Sequence, residues 1–329
     1  MTAGGAREEI LKLFRQKGGG FVSGEEISRG LGVSRSAVWK QIGLLREMGY
    51  TIEAVTSRGY RLTGIPDALT PVEIQAGLDT GVIGREVIYF EETDSTNARA
   101  CALGEEGALE GTVVVAERQT GGKGRMGRRW ASPPGVNLYT SVLLRPPIPP
   151  VLAPQLTFLS AVAVALAAEE VAGLAAAVKW PNDILLGGKK VAGLLNEMSA
   201  ETEAVHYVVL GIGVNINMGA EQFPDDLRYP ATSLALEGGR QISRLEFTRA
   251  LYRHLDELYA TFLREGFGPL RQKWQDLCDV VGRRVEVDTQ GRIQRGIVLG
   301  LESDGALLLE AESGEREKIL AGDVRLLDG

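Results

Sequence analysis

The spacing of apolar residues changes character twice along this 329-residue chain, and those changes limit the architectures open to it. Over the first sixty residues the spacing is helical. Ile10, Leu11 and Phe14 form one stripe that breaks at Gly18-Gly19-Gly20. Ser23 stands three residues before Glu26, a reciprocal capping arrangement that opens a helix running to Leu31. Gly32-Val33 makes a turn and Ser34 caps a third helix. On it Val38, Ile42, Leu45 and Met48 share one face, which is expected to be buried. Residues 50–62 then follow a β pattern about a Ser57-Arg58-Gly59 tip. Helix, helix, turn, helix and hairpin in this order predict a winged helix-turn-helix. The alternative is a small helical packing domain with a solvated basic face.

Gly64-Ile65-Pro66-Asp67 has linker composition. Beyond it, β-like runs at 86–91, 112–117, 137–144, 191–198 and 207–216 mix with helical runs at 95–103, 154–171 and 245–265. That mixture predicts an α/β or α+β catalytic domain ending near Cys278. From 280 to 327 short strands alternate with turns at Thr289-Gln290-Gly291, Ser303-Asp304-Gly305 and Ser313-Gly314, which predicts a small β-barrel. The expected division is 1–65, 66–278 and 279–329, and the overall class is α+β.

A net charge of −7 argues against a chain that coats nucleic acid over its whole surface, but it conceals a division. Residues 1–64 carry ten Lys/Arg against six Asp/Glu, and the remainder 26 against 37, so a basic module is joined to an acidic body. The third helix turns Arg35, Ser36, Trp39, Lys40 and Arg46 away from its apolar face, and the hairpin offers Arg58 and Arg61. Such groups contact phosphates and base edges. Arg35, Ser36, Trp39, Lys40 and Arg58 are the expected DNA contacts, with protein binding as the alternative. Cys101 and Cys278 stand far apart, in no metal-ligand spacing, which suits a reducing cytoplasm. The N-terminus shows no apolar signal core. The richest apolar run, 156–168, is short and alanine-rich for a bilayer span, so no membrane partner is expected.

The segment with most chemical content is Gln119-Thr120-Gly121-Gly122-Lys123-Gly124-Arg125-Met126-Gly127-Arg128-Arg129-Trp130. Gly122, Gly124 and Gly127 fit a G-x-G-x-x-G pattern, yet Arg-Arg-Trp-Ala-Ser-Pro-Pro follows in place of a helix, so a dinucleotide fold is excluded. A Walker loop fails too, because Lys123 precedes glycine. What remains is a strand feeding a loop whose glycines admit an anion and whose Lys123, Arg125, Arg128 and Arg129 supply charge. Taken alone, it could be a mobile basic surface loop. Three further segments bear on it. Glu92-Thr93-Asp94-Ser95-Thr96-Asn97 places hydroxyls and an amide at a helix start, where capping is the simpler explanation. Lys179-Trp180-Pro181-Asn182-Asp183-Ile184 precedes Gly187-Gly188-Lys189-Lys190-Val191-Ala192-Gly193, where a plain polar hairpin turn is the simpler one. Gly211-Ile212-Gly213-Val214-Asn215 would let a ligand approach backbone closely.

Together, at these spacings, the four segments resemble the biotin-protein ligase family, and within it the bifunctional members that also repress the biotin operon. The resemblance covers nearly the whole chain. It implies a winged helix-turn-helix, a central mixed α/β ligase domain of the class II synthetase-like type, and an SH3-like C-terminal β-barrel. It also implies an enzyme that condenses biotin with ATP to biotinyl-5'-AMP and transfers biotin to a lysine of a biotin carboxyl carrier domain of a biotin-dependent carboxylase. Lys190, from the Lys-x-Ala-Gly motif, would neutralise the biotin carboxylate and α-phosphate. Arg125 would retain the adenylate, and Asp183 would assist the acceptor lysine as base or as orienting group. Ser95, Thr96, Gln119, Gly122, Lys123 and Trp130 would join Lys190 around biotin, although Trp130 also reads as a core residue. Lys123 replaces an arginine common in the family, keeping charge but losing a bidentate fork. Gly124, Arg125, Arg128, Asn182 and Asn215 would serve ATP and adenylate, with Mg2+ brought by the nucleotide and no protein metal cage. His206 and His254, the only histidines, match no catalytic position of the family. Adenylate would favour a homodimer that binds operator DNA of biotin-synthesis genes. The alternatives are a non-catalytic biotin-sensing repressor and a lipoate-protein ligase. Against the second, the Arg-Arg-x-x-Gly-Gly-Gly segment of those enzymes is not found.

Overall fold

The computed structural model describes residues 3–327, which divide into two compact units parting between Ala68 and Leu69. The first unit holds α1 (Ala3–Gln16), α2 (Gly24–Leu31) and α3 (Arg35–Glu47), followed by the antiparallel pair β1 (Thr51–Val55) and β2 (Gly59–Gly64). Both expected caps form. Ser23 accepts the Glu26 N–H at 3.0 Å and Ser34 the Ala37 N–H at 3.3 Å. Each supplies an acceptor that the first turn of a helix lacks. Ile10, Leu11, Phe14, Ile27, Leu31, Val38, Ile42 and Leu45 close the core.

One expectation for α3 is corrected. Met48 lies at its C-cap and is 45% exposed, because the helix ends before another turn could carry the apolar stripe inward. Arg46 is exposed as expected, and its Nη2 donates to the Ile52 carbonyl at 2.6 Å, which ties α3 to β1. Trp39 is 70% exposed. Arg35 is held by Glu25 at 3.1 Å, and Arg58 and Arg61 lie 5.7 and 4.7 Å from the Phe21 ring.

The second unit begins with α4 (Pro71–Gln75), β3 (Val87–Thr93), α5 (Thr96–Glu105), β4 (Val113–Gln119) and β5 (Leu138–Leu144). After α6 (Leu156–Ala172) come β6 (Ala177–Lys179), β7 (Asp183–Leu186), β8 (Lys189–Ala200) and β9 (Val205–Val214). The seven strands form one sheet in the order β3-β4-β5-β9-β8-β7-β6, parallel only between β3 and β4, which α5 connects as a crossover. Alternation along β4 sorts the two faces. Val113 and Val115 join the large core with α6, whereas Val114 packs with Ala100 of α5, Leu143 and Tyr207.

α6 continues a 3-10 turn from Pro150, so the helical segment 150–172 is longer than the sequence suggested and is long and apolar enough to cross a membrane. It is nevertheless a core element, with 72% of its apolar window buried inside the protein. α7 (Leu234–Gly238), α8 (Arg244–Glu265) and α9 (Phe267–Leu277) follow. α9 was not among the expected helices, and Gly268-Pro269 stands at its start. Pro269 falls in the first turn, where its missing N–H costs no helical bond. The last strands, β10 (Arg284–Thr289), β11 (Arg292–Leu301), β12 (Leu307–Ala311), β13 (Arg316–Ile319) and β14 (Asp323–Leu326), form an antiparallel sheet ordered β13-β12-β11-β10-β14. Its core is continuous with that of α6 and α9, and the Trp180 indole donates to the Gly305 carbonyl at 3.3 Å.

Candidate active site

β8 and β9 pair Gly193 with Gly213 and Leu195 with Gly211, leaving a stretch of the sheet face without side-chain bulk. Above it lies a cleft of about 960 Å³. Ser95, Thr96, Gln119, Lys123, Gly124, Arg125, Arg128, Trp130, Asn182, Asp183, Lys190 and Asn215 all line it, although they come from five separate stretches of sequence. Gly122 stands just outside, where its carbonyl accepts the Trp130 N–H at 2.9 Å.

One end of the cleft is neutral and polar. Ser95 occupies the N-cap of α5 but makes no side-chain cap bond; the Asp94 carboxylate takes the Ser95 N–H at 2.8 Å instead. The simple capping explanation therefore fails, and the Ser95 side chain lines the cleft. Gln119, at the end of β4, accepts the Thr96 N–H at 2.8 Å and donates to Ser132 at 3.1 Å. Thr96, Asn97 and Ser141 are buried and bonded to one another through Ser141.

The other end is cationic. Lys190, at the start of β8, holds Asp183 at 2.6 Å and lies 5.5 Å from the Trp130 ring centre. Its backbone is pinned by residues 230–232. The Lys190 N–H donates to the Pro230 carbonyl at 2.8 Å, and the Thr232 N–H donates to the Lys190 carbonyl at 2.9 Å. Arg125 donates to Asn182 at 3.3 Å, and Asn182 in turn donates to the Leu194 carbonyl at 2.7 Å. Burial pulls the Arg125 pKa below its ordinary value, against the opposing charges of Asp323 and Asp183. Lys179 is likewise lowered by burial, and its ammonium sits 4.5 Å from the Tyr229 ring centre. The Trp130 indole lies flat over the glycine floor. A methyl group at Gly213 would come within 2.7 Å of the ring and one at Gly193 within 2.9 Å, so only glycine admits it. The indole Nε1 is buried with no acceptor.

Several lining residues carry no signal in the sequence. Arg228 and Tyr229 lie in an irregular segment, and behind them Asp323, which opens β14 some two hundred residues after the glycine-arginine loop, holds two of the lining arginines without lining the cleft itself. Asp323 accepts from Arg128 and, at 2.8 Å, from Arg228. Burial opposes its charge, yet the Arg128 hydrogen bond and the charges of Arg128, Arg228 and Arg125 outweigh that and hold its pKa below the usual carboxylate value. Arg128 therefore faces the C-terminal sheet as well as the cleft.

Asn215 lines the cleft while its side chain is bonded within the fold, its amide donating to the Thr232 carbonyl at 3.1 Å and its oxygen meeting the Asn137 amide at 3.4 Å. Among the described residues no three of His, Cys, Asp and Glu gather to hold a metal. Asp183 and Asn182 are already engaged by Lys190 and Arg125, so the residues present do not assemble a magnesium site of their own. His206 pairs with Glu201 and His254 with Glu170.

Residues 89–215 match the Biotin/lipoate A/B protein ligase family, 6–61 an HTH domain, and 280–327 the Biotin protein ligase C terminal domain. The chain is 42% identical to the bifunctional ligase/repressor BirA of Bacillus subtilis, over 97% of this chain and 98% of that protein. It is 32% identical to the Escherichia coli protein of the same name over 94% of each. The biotin protein ligase of Aquifex aeolicus, solved in complex with biotin and ATP, superposes with a TM-score of 0.64 at 31% identity. That match covers 74% of this chain and all of the other. With an HTH domain at one end, a ligase match over the sheet that carries the cleft, and a matching C-terminal domain, the chain belongs to the biotin-protein ligase family, in its bifunctional ligase/repressor form.

Proposed function

We propose that this chain joins biotin to ATP as biotinyl-5'-AMP, transfers the biotinyl group to a carrier lysine, and represses transcription through its N-terminal unit. The observation that carries this is the cleft itself, with a neutral hydrogen-bonding end and a cationic end on one sheet face. In the first step a biotin carboxylate oxygen bonds to the α-phosphorus as the bond to pyrophosphate breaks. Two anions must meet, so positive charge has to stand between them. Lys190 takes that place and Arg125, on the glycine flap, closes over the adenylate. In the second step the acceptor amine attacks the acyl carbon and AMP leaves. The tight Asp183–Lys190 pair supports an orienting role for Asp183, with proton uptake from the acceptor as the alternative.

Ser95, Thr96 and Gln119 face the ureido ring, Trp130 covers the valeryl chain and ring region, and Gly122 and Lys123 complete the flap. Gly124, Arg128, Asn182 and Asn215 border the nucleotide. A magnesium ion would arrive on the phosphates, with oxygen and water ligands of its own, and no step here runs through it. We assign 1–65 to DNA binding, 66–278 to ligation and 279–329 to the barrel, and place the protein in the cytoplasm. The carrier is a carboxyl carrier domain of a biotin-dependent carboxylase, and the DNA is the operator of biotin-synthesis genes, bound by an adenylate-loaded dimer. An open strand supports pairing of two copies. Leu194 turns both backbone groups to Asn182, away from β9, so Asn196 and Met198 do likewise, and β7 does not extend beside them.

The test is incubation with ATP, magnesium, a carrier domain and either biotin or lipoate, followed by the carrier's mass. Biotin addition alone is expected; lipoate addition, or none, overturns the reading. Footprinting on a biotin-synthesis promoter is expected to show protection that needs biotin and ATP together.

A further inference from the structure

Lys190 faces the cleft because β8 is irregular where it begins. Side chains alternate along a strand, so Lys190, three residues before Gly193, would in a regular strand point to the opposite face of the sheet. Yet both line the cleft, and a methyl group at Gly193 would stand 3.2 Å from the Lys190 Nζ. The pairing with β7 accounts for this. Leu185 opposes Lys190 and Ile184 opposes Ala192, so Val191 is an extra residue, a bulge that reverses the facing of the residues before it. Val191 and Ala192 accordingly both enter the core.

A bulge leaves one residue without a ladder partner, so its register needs support from outside the pair. β9 ends at Val214, opposite Ala192, and residues 230–232 take its place beside Lys190, accepting its N–H and donating to its carbonyl. Lys189 points away from the cleft, and Glu237 of α7 meets it there. The Glu237 Oε1 accepts both the Thr232 hydroxyl at 2.6 Å and the Lys189 ammonium at 3.1 Å. Its Oε2 would lie 3.6 Å from a methyl group at Gly187, in the turn between β7 and β8. One carboxylate thus ties together the residue before Lys190, the segment that pairs with Lys190, and the turn that leads into β8. The Thr232 bond first and the Lys189 bond second hold its pKa below the ordinary carboxylate value, so it stays charged. We propose that Glu237 is a positioning residue that keeps the β8 bulge in register and thereby keeps Lys190 aimed at the reacting anions. The inference rests on the ligation reading above, which gives Lys190 its task. Glu237 is exposed and lies outside the cleft, so replacing it neither opens a core cavity nor removes a ligand contact.

The experiment uses the full-length chain and reads the two steps apart: pyrophosphate release with biotin and ATP, and labelling of a carrier domain from supplied biotinyl-5'-AMP. Glu237→Ala is expected to lower kcat for pyrophosphate release by about tenfold, the scale of one charge-assisted hydrogen bond. Labelling from supplied adenylate, in which no two anions have to meet, is expected to stay within about twofold. Glu237→Gln keeps an oxygen for the Thr232 hydroxyl and is expected to recover most of the lost rate. Thr232→Val is expected to match Glu237→Ala, and the two together to do no more than either alone, because each breaks the same link. In a Lys190→Ala background, Glu237→Ala is expected to change nothing further. Unchanged pyrophosphate release in Glu237→Ala overturns the proposal, as does an equal loss in both steps, or a full loss added to that of Lys190→Ala. A wild type that releases pyrophosphate, with variants that match it, removes only the positioning role. A wild type that forms no adenylate from biotin removes the functional reading and the positioning role together.

Discussion

The two ends of the cleft are built from different materials. Thr96 and Asn97 sit in the first turn of α5, Gln119 ends β4 and Ser141 lies inside β5, so the neutral end is held by regular elements and buried bonds. The cationic end draws Arg125 and Arg128 from the flap, Arg228 and Tyr229 from an irregular segment, and Asp323 from a distant strand. The difference follows from the range of the forces. A neutral hydrogen bond fails within a few tenths of an ångström, so its partners need rigid supports. Charge acts over several ångströms, so it tolerates placement on loops that close after the reactants arrive.

Substitutions at the two ends should separate these roles. The largest expected effect is at Lys190→Ala, with adenylate formation down by about 100-fold or more, read by pyrophosphate release. Retained release would move the carboxylate site elsewhere. Next, Arg125→Ala is expected to leave adenylation measurable but raise escape of free adenylate by about tenfold, seen in the absence of carrier. Equal loss of both steps would make the flap part of the chemistry and blur the division. Asp323→Asn is expected to raise KM for ATP severalfold by loosening Arg128 and Arg228. Because the folded Asp323 pKa is lowered, its stabilising contribution is fully present above the ordinary carboxylate value. It is lost as pH falls through the lowered one, so thermal melts of wild type and variant should converge in acid. The smallest effect on ligation is expected at Trp39→Ala, with unchanged carrier labelling and operator affinity reduced by about tenfold. A change in labelling would tie the DNA-reading face to the ligase.

Much of this was legible in the residues. Ser23, Ser34 and the three terminal turn motifs carry local chemistry that acts wherever the chain goes, and the helices and strands near them fell where expected. Lys190, Arg125 and the Lys-Trp-Pro-Asn-Asp block stood out only because four segments together resemble one family, since the glycine-rich basic loop alone reads equally as a surface loop. Asp323 and Arg228 were invisible because the groups they meet lie far away in sequence. Met48 misled because apolar periodicity continues past a helix end, where the chain has already turned toward the next strand.

The indole laid over the glycine floor gives the protein an optical reporter of its own state. Trp180 and Trp274 are sealed in the core and Trp39 belongs to the other unit, so Trp130 is the fluorophore that a guest in the cleft meets. Its ring nitrogen has no acceptor and a lysine ammonium stands nearby, two conditions to which indole emission is sensitive. Filling of the cleft can thus be followed by light alone, without a label and before any product exists.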